Sequence, residues 1–285
     1  MLIIGTIFNS EIWCAHSEND LQLLQVLDRK ILRLILGAQA KVPSEMLYLE
    51  TGALELKHVI AVRRMVYLQN ILKKHDTEII KKIYVAQKKL PCTGDWVLLI
   101  EEDRLKYNIE YSDEQIAELL DSKFKTHVKK QVRLQSLNEL KDIQNEHIKV
   151  KHIKFDSLKS PQEYLISKQF NNRLSSLLFN LRCQSVNGIK ANFSNLYQGN
   201  TQCHFKCLNK EDSQEHMLSC HELIIHLDQK QKTLLSKVEY SDLFGSTIKQ
   251  LEITQIFRAL LKIQERLLGK AQEPACHGKN SGPIG

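Results

Sequence analysis

The sequence predicts a mainly α-helical protein in which a helical bundle is followed by a small Cys/His module with flanking helices. Three observations carry this. Glycine and proline are scarce, 11 and 5 in 285 residues. Apolar residues recur at intervals near 3.6 rather than 2. Three of the seven cysteines and two of the eleven histidines fall between Cys203 and Cys220, a density that a helical core does not need.

Ser17 is placed to cap a first helix that runs to Gly37, where a C′ glycine is expected. Leu23, Leu24, Leu27, Ile31, Leu34 and Ile35 form its apolar stripe, which is expected to pack on another element and, in a chain separated from that element, to stand exposed and lower solubility, with Arg29 and Arg33 on the far side. Pro43 fits the first turn of a short helix ending at Gly52. Leu56 to about Lys74 is apolar around most of its circumference, interrupted by Arg63 and Arg64, and predicts the central helix of the N-terminal half. Asp76 is the candidate cap of a helix to Lys89, and Pro91-Cys92-Thr93-Gly94 makes a turn. Asp95 and Ser112 open the next two helices, Ser112 with Gln115 at the capping-box distance.

From Lys123 to about Asn145 a long helix sets Phe124, Val128 and Val132 on one row and Lys125, Lys129 and Arg133 on the adjacent one. Like charges at i, i+4 cost roughly 0.2–0.5 kcal/mol per pair. An external polyanion would relieve that cost; a solvated face is the plainer alternative. His147 to Phe155 reads as an extended connector or short strand, which divides the chain into 1–145, a helical module at 146–268 and a patternless, disordered tail at 269–285. Ser160-Pro161-Gln162-Glu163 is a capping box with proline at N1. Leu174 to Leu181 is helical, Gln184 to Asn200 is a loop, and Ile253, Ile256, Phe257, Leu260, Leu261, Leu267 and Leu268 form the stripe of a closing helix.

Composition bounds the rest. A hydrophobic content of 42% supports a buried core. Forty Lys plus Arg against 33 Asp plus Glu give a net charge of +7, a bias compatible with nucleic acid. Lys57 to Lys89 alone holds nine basic residues against Asp76 and Glu78. The odd number of scattered cysteines (Cys14, Cys92, Cys183 and Cys276 outside the cluster) speaks against a disulfide framework and for a reducing, intracellular setting, nuclear or cytoplasmic rather than secreted. Met1 to Phe8 is apolar but too short to span a bilayer, so no membrane is expected. An opening on such a segment suggests an element separated from what precedes it.

The stretch Cys203 to Cys220 has the grouping of a structural zinc site, two close pairs joined by a charged loop. Cys203 or His204 with Cys207 forms the first pair, and His216 with Cys220 the second. His204 competes because Cys203 and Cys207 are separated by three residues, whereas His204 and Cys207 are separated by two. His216 and Cys220, four apart, would share a face of one helical turn. Four ligands close the shell and leave no position for catalysis. Phe205, Lys206 and Lys210 lie beside the ligands, where they would meet an unpaired base and its backbone, or where Phe205 is simply a core residue of the module.

The order of Asn9-Ser10-Glu11-Ile12-Trp13, Leu27-Asp28-Arg29-Lys30-Ile31-Leu32-Arg33, Ile35-Leu36-Gly37-Ala38, Met46-Leu47-Tyr48-Leu49-Glu50-Thr51-Gly52-Ala53, Arg63-Arg64 with Tyr67-Leu68, Gly94-Asp95-Trp96, Leu181-Arg182, Asn192-Phe193 and the Cys/His cluster resembles the C-terminal part of the reverse transcriptase polyprotein of non-LTR retrotransposons. The likeness runs from about Gly5 to Leu268. It implies a thumb-like and linker region at 1–145 and a zinc-knuckle-like module after it. The polymerase of that family needs paired palm aspartates to hold two metal ions, and no Asp-Asp pair occurs in this sequence. The expectation is a truncated copy, not an enzyme by itself. It would bind single-stranded RNA or DNA through Arg29, Arg33, Arg63, Arg64, Lys125, Lys129, Arg133, Phe205, Lys206 and Lys210, with the remainder of a reverse transcriptase supplied in trans. The rival readings are a helical protein-interaction scaffold and a decayed fragment without a selected role.

Overall fold

The computed structural model describes residue 10 and residues 18–39, 41–144 and 161–272, with the side chains at 18–20, 143–144 and 270–272 left aside. The chain is mainly helical. Among the described residues there is no strand, and the β structure consists of an isolated antiparallel bridge between Gln202 and Glu211. Two compact units form, one from Met1–Leu36 and Pro43–Gln162, the other from Gly37–Val42 and Glu163–Gly285. In this division the second unit resumes at Glu163, and a short excursion between the first two helices belongs to it. The expected connector at 147–155 and the Ser160 cap lie outside the described residues.

The first unit contains α1 (Glu18–Leu36), α2 (Ser44–Thr51), α3 (Leu56–Leu72), α4 (Ile79–Lys89), α5 (Trp96–Lys106), α6 (Asp113–Glu118) and α7 (Asp121–Gln144). As expected, α3 is central: Met65 and Leu68 are fully buried and meet Phe124, Val128 and Val132 of α7, also fully buried. Burying each of these side chains contributes about 1.5–3 kcal/mol. The Ser112–Gln115 capping box forms at the head of α6. Gly52 ends α2 with φ +68, a left-handed conformation that glycine adopts without strain. Asp76 is not the cap of α4. Glu78 holds the N-cap position without a side-chain bond, and Asp76 pairs with Lys81 at 2.9 Å.

The apolar stripe of the first helix stands exposed, as expected of a truncated copy, and another face turns inward. Gln25, Asp28, Leu32 and Leu36 are buried, while Leu23, Leu27, Leu34 and Ile35 are exposed, Leu34 by 82%. The cause is a polar lock on α2. The Tyr48 hydroxyl donates to Asp28 Oδ2 at 2.9 Å and lies 3.4 Å from Gln25 Nε2. These bonds satisfy groups that would otherwise be costly to bury.

A second polar cluster sits between α3, α5 and α7. His58, 1% exposed, has Nδ1 3.0 Å from the Tyr107 hydroxyl and Nε2 3.4 Å from Glu139 Oε2. Lys57 and Lys106 flank the same carboxylate at 2.8 and 3.3 Å. Nearby, Arg64 pairs with buried Asp103 at 3.3 Å.

The second unit is organised on α13 (Thr247–Gln272), with α8 (Glu163–Ile166), α9 (Asn172–Arg182), a 3-10 helix at Lys190–Tyr197, α10 (Gln214–Met217), α11 (His221–Ile224), α12 (Gln229–Leu235) and a 3-10 helix at Tyr240–Phe244. Ile253, Ile256, Phe257 and Leu260 are fully buried, so the predicted stripe closes this unit. The α13 helix also continues to Gln272, past the expected start of the tail at 269. The span 184–200, expected as a loop, contains the first 3-10 helix. Gly37, at φ +59, lies against α9. Its carbonyl accepts from Asn180 Nδ2 at 3.0 Å and from the Ser176 hydroxyl at 3.1 Å, and Asn180 Oδ1 accepts from the Gln39 amide at 3.0 Å. No described helix is long and apolar enough to cross a membrane.

Candidate metal centre

The Cys/His stretch folds as a tight turn followed by two short helices. Around the Gln202–Glu211 bridge, the Asp212 amide donates to the Thr201 carbonyl at 2.7 Å and the Cys203 amide to the Lys210 carbonyl at 2.9 Å. The Lys206 amide then turns back onto the Cys203 carbonyl at 2.9 Å. Lys206 and Asn209 adopt φ of +56 and +53, left-handed conformations that asparagine tolerates better than lysine. This left-handed turn takes up the extra residue between Cys203 and Cys207 and brings both thiols to one side.

Ser213 caps α10, its hydroxyl accepting from the His216 amide at 3.1 Å, and so fixes the backbone that carries the imidazole. Cys220 is the N-cap of α11. His216 and Cys220 therefore do not share one continuous helical turn. A break after Met217, closed by the Ser219 amide on the His216 carbonyl at 2.9 Å, brings them together.

The ligand atoms of Cys203, Cys207, His216 and Cys220 all lie within 4.8 Å of one another. The Cys207 and Cys220 sulfurs are 3.8 Å apart, and all three thiols are free. A disulfide would need about 2.05 Å. Two thiolates about 2.3 Å from one tetrahedral centre stand roughly 3.8 Å apart, so the observed separation is an edge of such a shell. Both ring nitrogens of His216 are buried without a hydrogen-bond partner. A buried polar atom left unpaired costs about 1–3 kcal/mol, a cost that a bound cation removes.

Burial pushes the Cys220 thiol up to about 12, raises that of Cys207 and lowers His216. The protein by itself thus holds neutral thiols. A cation supplies the charge that turns them into thiolate ligands and releases their protons. The three cysteines and one histidine can hold a metal ion.

His204 is not in the cluster. Its Nε2 lies 3.4 Å from Asp212 Oδ2, an ion-pair distance without an aligned hydrogen bond. Asp212 is buried and braces the module. Its Oδ2 accepts from the Lys190 amide at 2.7 Å and its carbonyl from the Ala191 amide at 3.0 Å. The sequence reading missed Asp212, for which local spacing gave no signal. It also missed Ser213, whose position three residues before His216 was a readable cap pattern.

The candidate nucleic-acid residues divide. Lys125, Lys129 and Arg133 are exposed, as are Lys206 and Lys210, while Phe205 is half-buried. Arg64 is spent on Asp103, and Arg63 donates to the Ser10 hydroxyl at 3.1 Å, so neither presents a free guanidinium. Arg29 and Arg33 are half-buried, because α1 turns Asp28 and Leu32 inward.

No family model, curated protein or solved structure matches this chain.

Proposed function

We propose that the chain is a nucleic-acid-binding helical protein whose knuckle is closed by one structural zinc ion. The carrying observation is the Cys203, Cys207, His216, Cys220 cluster with its unpartnered imidazole. Three soft thiolates and an imidazole select zinc over harder divalent cations, and four protein ligands leave no open position for catalysis.

The motif order that resembles the thumb-like, linker and knuckle region of a non-LTR retrotransposon reverse transcriptase supports a non-catalytic grip on single-stranded RNA or DNA. Lys206 and Lys210 stand exposed beside the cluster, and Phe205 is half-buried. On this reading, polymerisation belongs to a palm supplied in trans.

The test is single-stranded RNA binding by the full chain at low and high salt, before and after chelation. Binding that falls with salt and is lost with the metal supports the proposal; retention after chelation contradicts it. The exposed α1 stripe, Leu23, Leu27, Leu34 and Ile35, favours a second reading as a protein-interaction scaffold. That reading predicts salt-tolerant capture of a protein and no retention on RNA.

A further inference from the structure

The α7 helix carries a second feature, separate from the metal cluster. Its inward face is fixed by Phe124, Val128 and Val132, all fully buried, so the helix has one rotational setting. Its outward face then presents Lys123, Lys125, Lys129, Lys130 and Arg133. No acid occurs on the helix between Asp121 and Glu139. Those two acids are already engaged, Asp121 by Lys73 and Glu139 by Lys57 and Lys106. None of the five outward cations meets a carboxylate among the described residues. Elsewhere in the unit Lys74, Lys81, Lys88 and Arg104 each hold an acidic partner, and Lys30, Lys82 and Lys89, which hold none among the described residues, do not follow one another as an i, i+4, i+8 row.

Lys125, Lys129 and Arg133 succeed one another at i, i+4 and i+8, about 6 Å apart along the helix axis. That is the scale on which phosphates follow one another along a nucleic-acid strand. The outward face offers no ring on which a base could stack: Phe124 is buried, and His127 packs against Tyr111 with ring centroids 4.9 Å apart. Tight single-strand binding uses such rings, whereas a duplex keeps its bases inside and offers only its backbone. Anionic membranes fit less well, because among the outward residues from 122 to 134 the only large apolar one is Leu134.

We propose that the Lys125–Lys129–Arg133 row of α7 is a track for the phosphate backbone of a nucleic-acid duplex, read without base contacts and without the metal. This inference does not rest on the knuckle and deepens the nucleic-acid reading by assigning the duplex to the first unit. The experiment is fluorescence anisotropy of the full chain on a short labelled duplex and on oligo-thymidine across a potassium chloride series. The samples are the wild type, Lys125→Gln/Lys129→Gln/Arg133→Gln, and a control with equal charge loss, Lys30→Gln/Lys82→Gln/Lys89→Gln.

Each lost phosphate contact removes about 0.9 from the slope of log affinity against log salt, so the α7 variant loses about 2.7 on the duplex and at least tenfold in affinity at moderate salt. The expected result is that loss in the α7 variant, a smaller one in the control, and no change in duplex binding on chelation. Equal losses in both triple variants, retention of duplex binding by the α7 variant, or tighter binding to anionic vesicles than to duplex overturns the proposal. Failure of the knuckle reading shows separately, as single-strand binding indifferent to chelation.

Discussion

His58 and Asp103 lie in one unit, are both buried, and push stability with pH in opposite directions. Burial lowers the His58 pKa from 6.5 to about 4, so the folded chain holds it neutral. The unfolded state takes up its proton first, and the His58 contribution, fully present above pH 6.5, is lost as pH falls toward 4. Burial raises Asp103 from 3.8 to about 6 despite Arg64, so its contribution is fully present below 3.8 and lost as pH rises toward 6. Each group changes stability by about 1.4 kcal/mol per pH unit inside its window, or about 2 kcal/mol between pH 4.5 and 6. The two slopes nearly cancel in the wild type.

Removing one group exposes the other. Relative to wild type, His58→Gln costs about 2 kcal/mol more at pH 6 than at pH 4.5, and Asp103→Asn costs about 2 kcal/mol less at pH 6 than at pH 4.5. Urea unfolding followed through buried Trp96, in a Trp13→Phe background, reads both profiles from midpoints and slopes. Difference profiles that are flat, or that run in the same direction, refute the assignment.

Three further outcomes follow from the packing. Phe124→Ala empties a fully buried site between α7 and α3 and costs about 3–5 kcal/mol in chemical denaturation. Gly37→Ala meets the Ser176 hydroxyl at 2.3 Å while holding φ at +59, and costs about 2–3 kcal/mol. Combined with Ser176→Ala, the double variant recovers at least about 1 kcal/mol relative to additivity, whereas additive losses rule out the clash. Ser213→Ala removes the cap on His216 and weakens metal binding about fivefold in competition with a chromophoric chelator, about 1 kcal/mol, while Ser213→Asp restores it.

The helical plan was legible because its signals are local. The α7 rows, the Ser112 cap, the α13 stripe and the glycines at 37 and 52 are set by periodicity or by a single backbone conformation. The polar inward face of α1 was not, because it depends on Tyr48, 20 residues beyond Asp28, offering a hydroxyl to a buried carboxylate. For the same reason Arg64 read as a surface cation until Asp103, on another helix, claimed it. At the cluster, spacing identified the residues but could not choose between Cys203 and His204. The choice lies in the left-handed turn at Lys206 and in Asp212, which draws His204 away from the thiols.

Metal content with single-ligand variants tests the centre most directly. Purified wild type and His204→Ala are expected to carry one zinc per chain, with X-ray absorption fitting three sulfurs and one nitrogen. Cys203→Ser, Cys207→Ser, His216→Ala and Cys220→Ser are each expected to lose it. A chain without metal, or one that keeps zinc in Cys203→Ser and loses it in His204→Ala, would contradict the assignment.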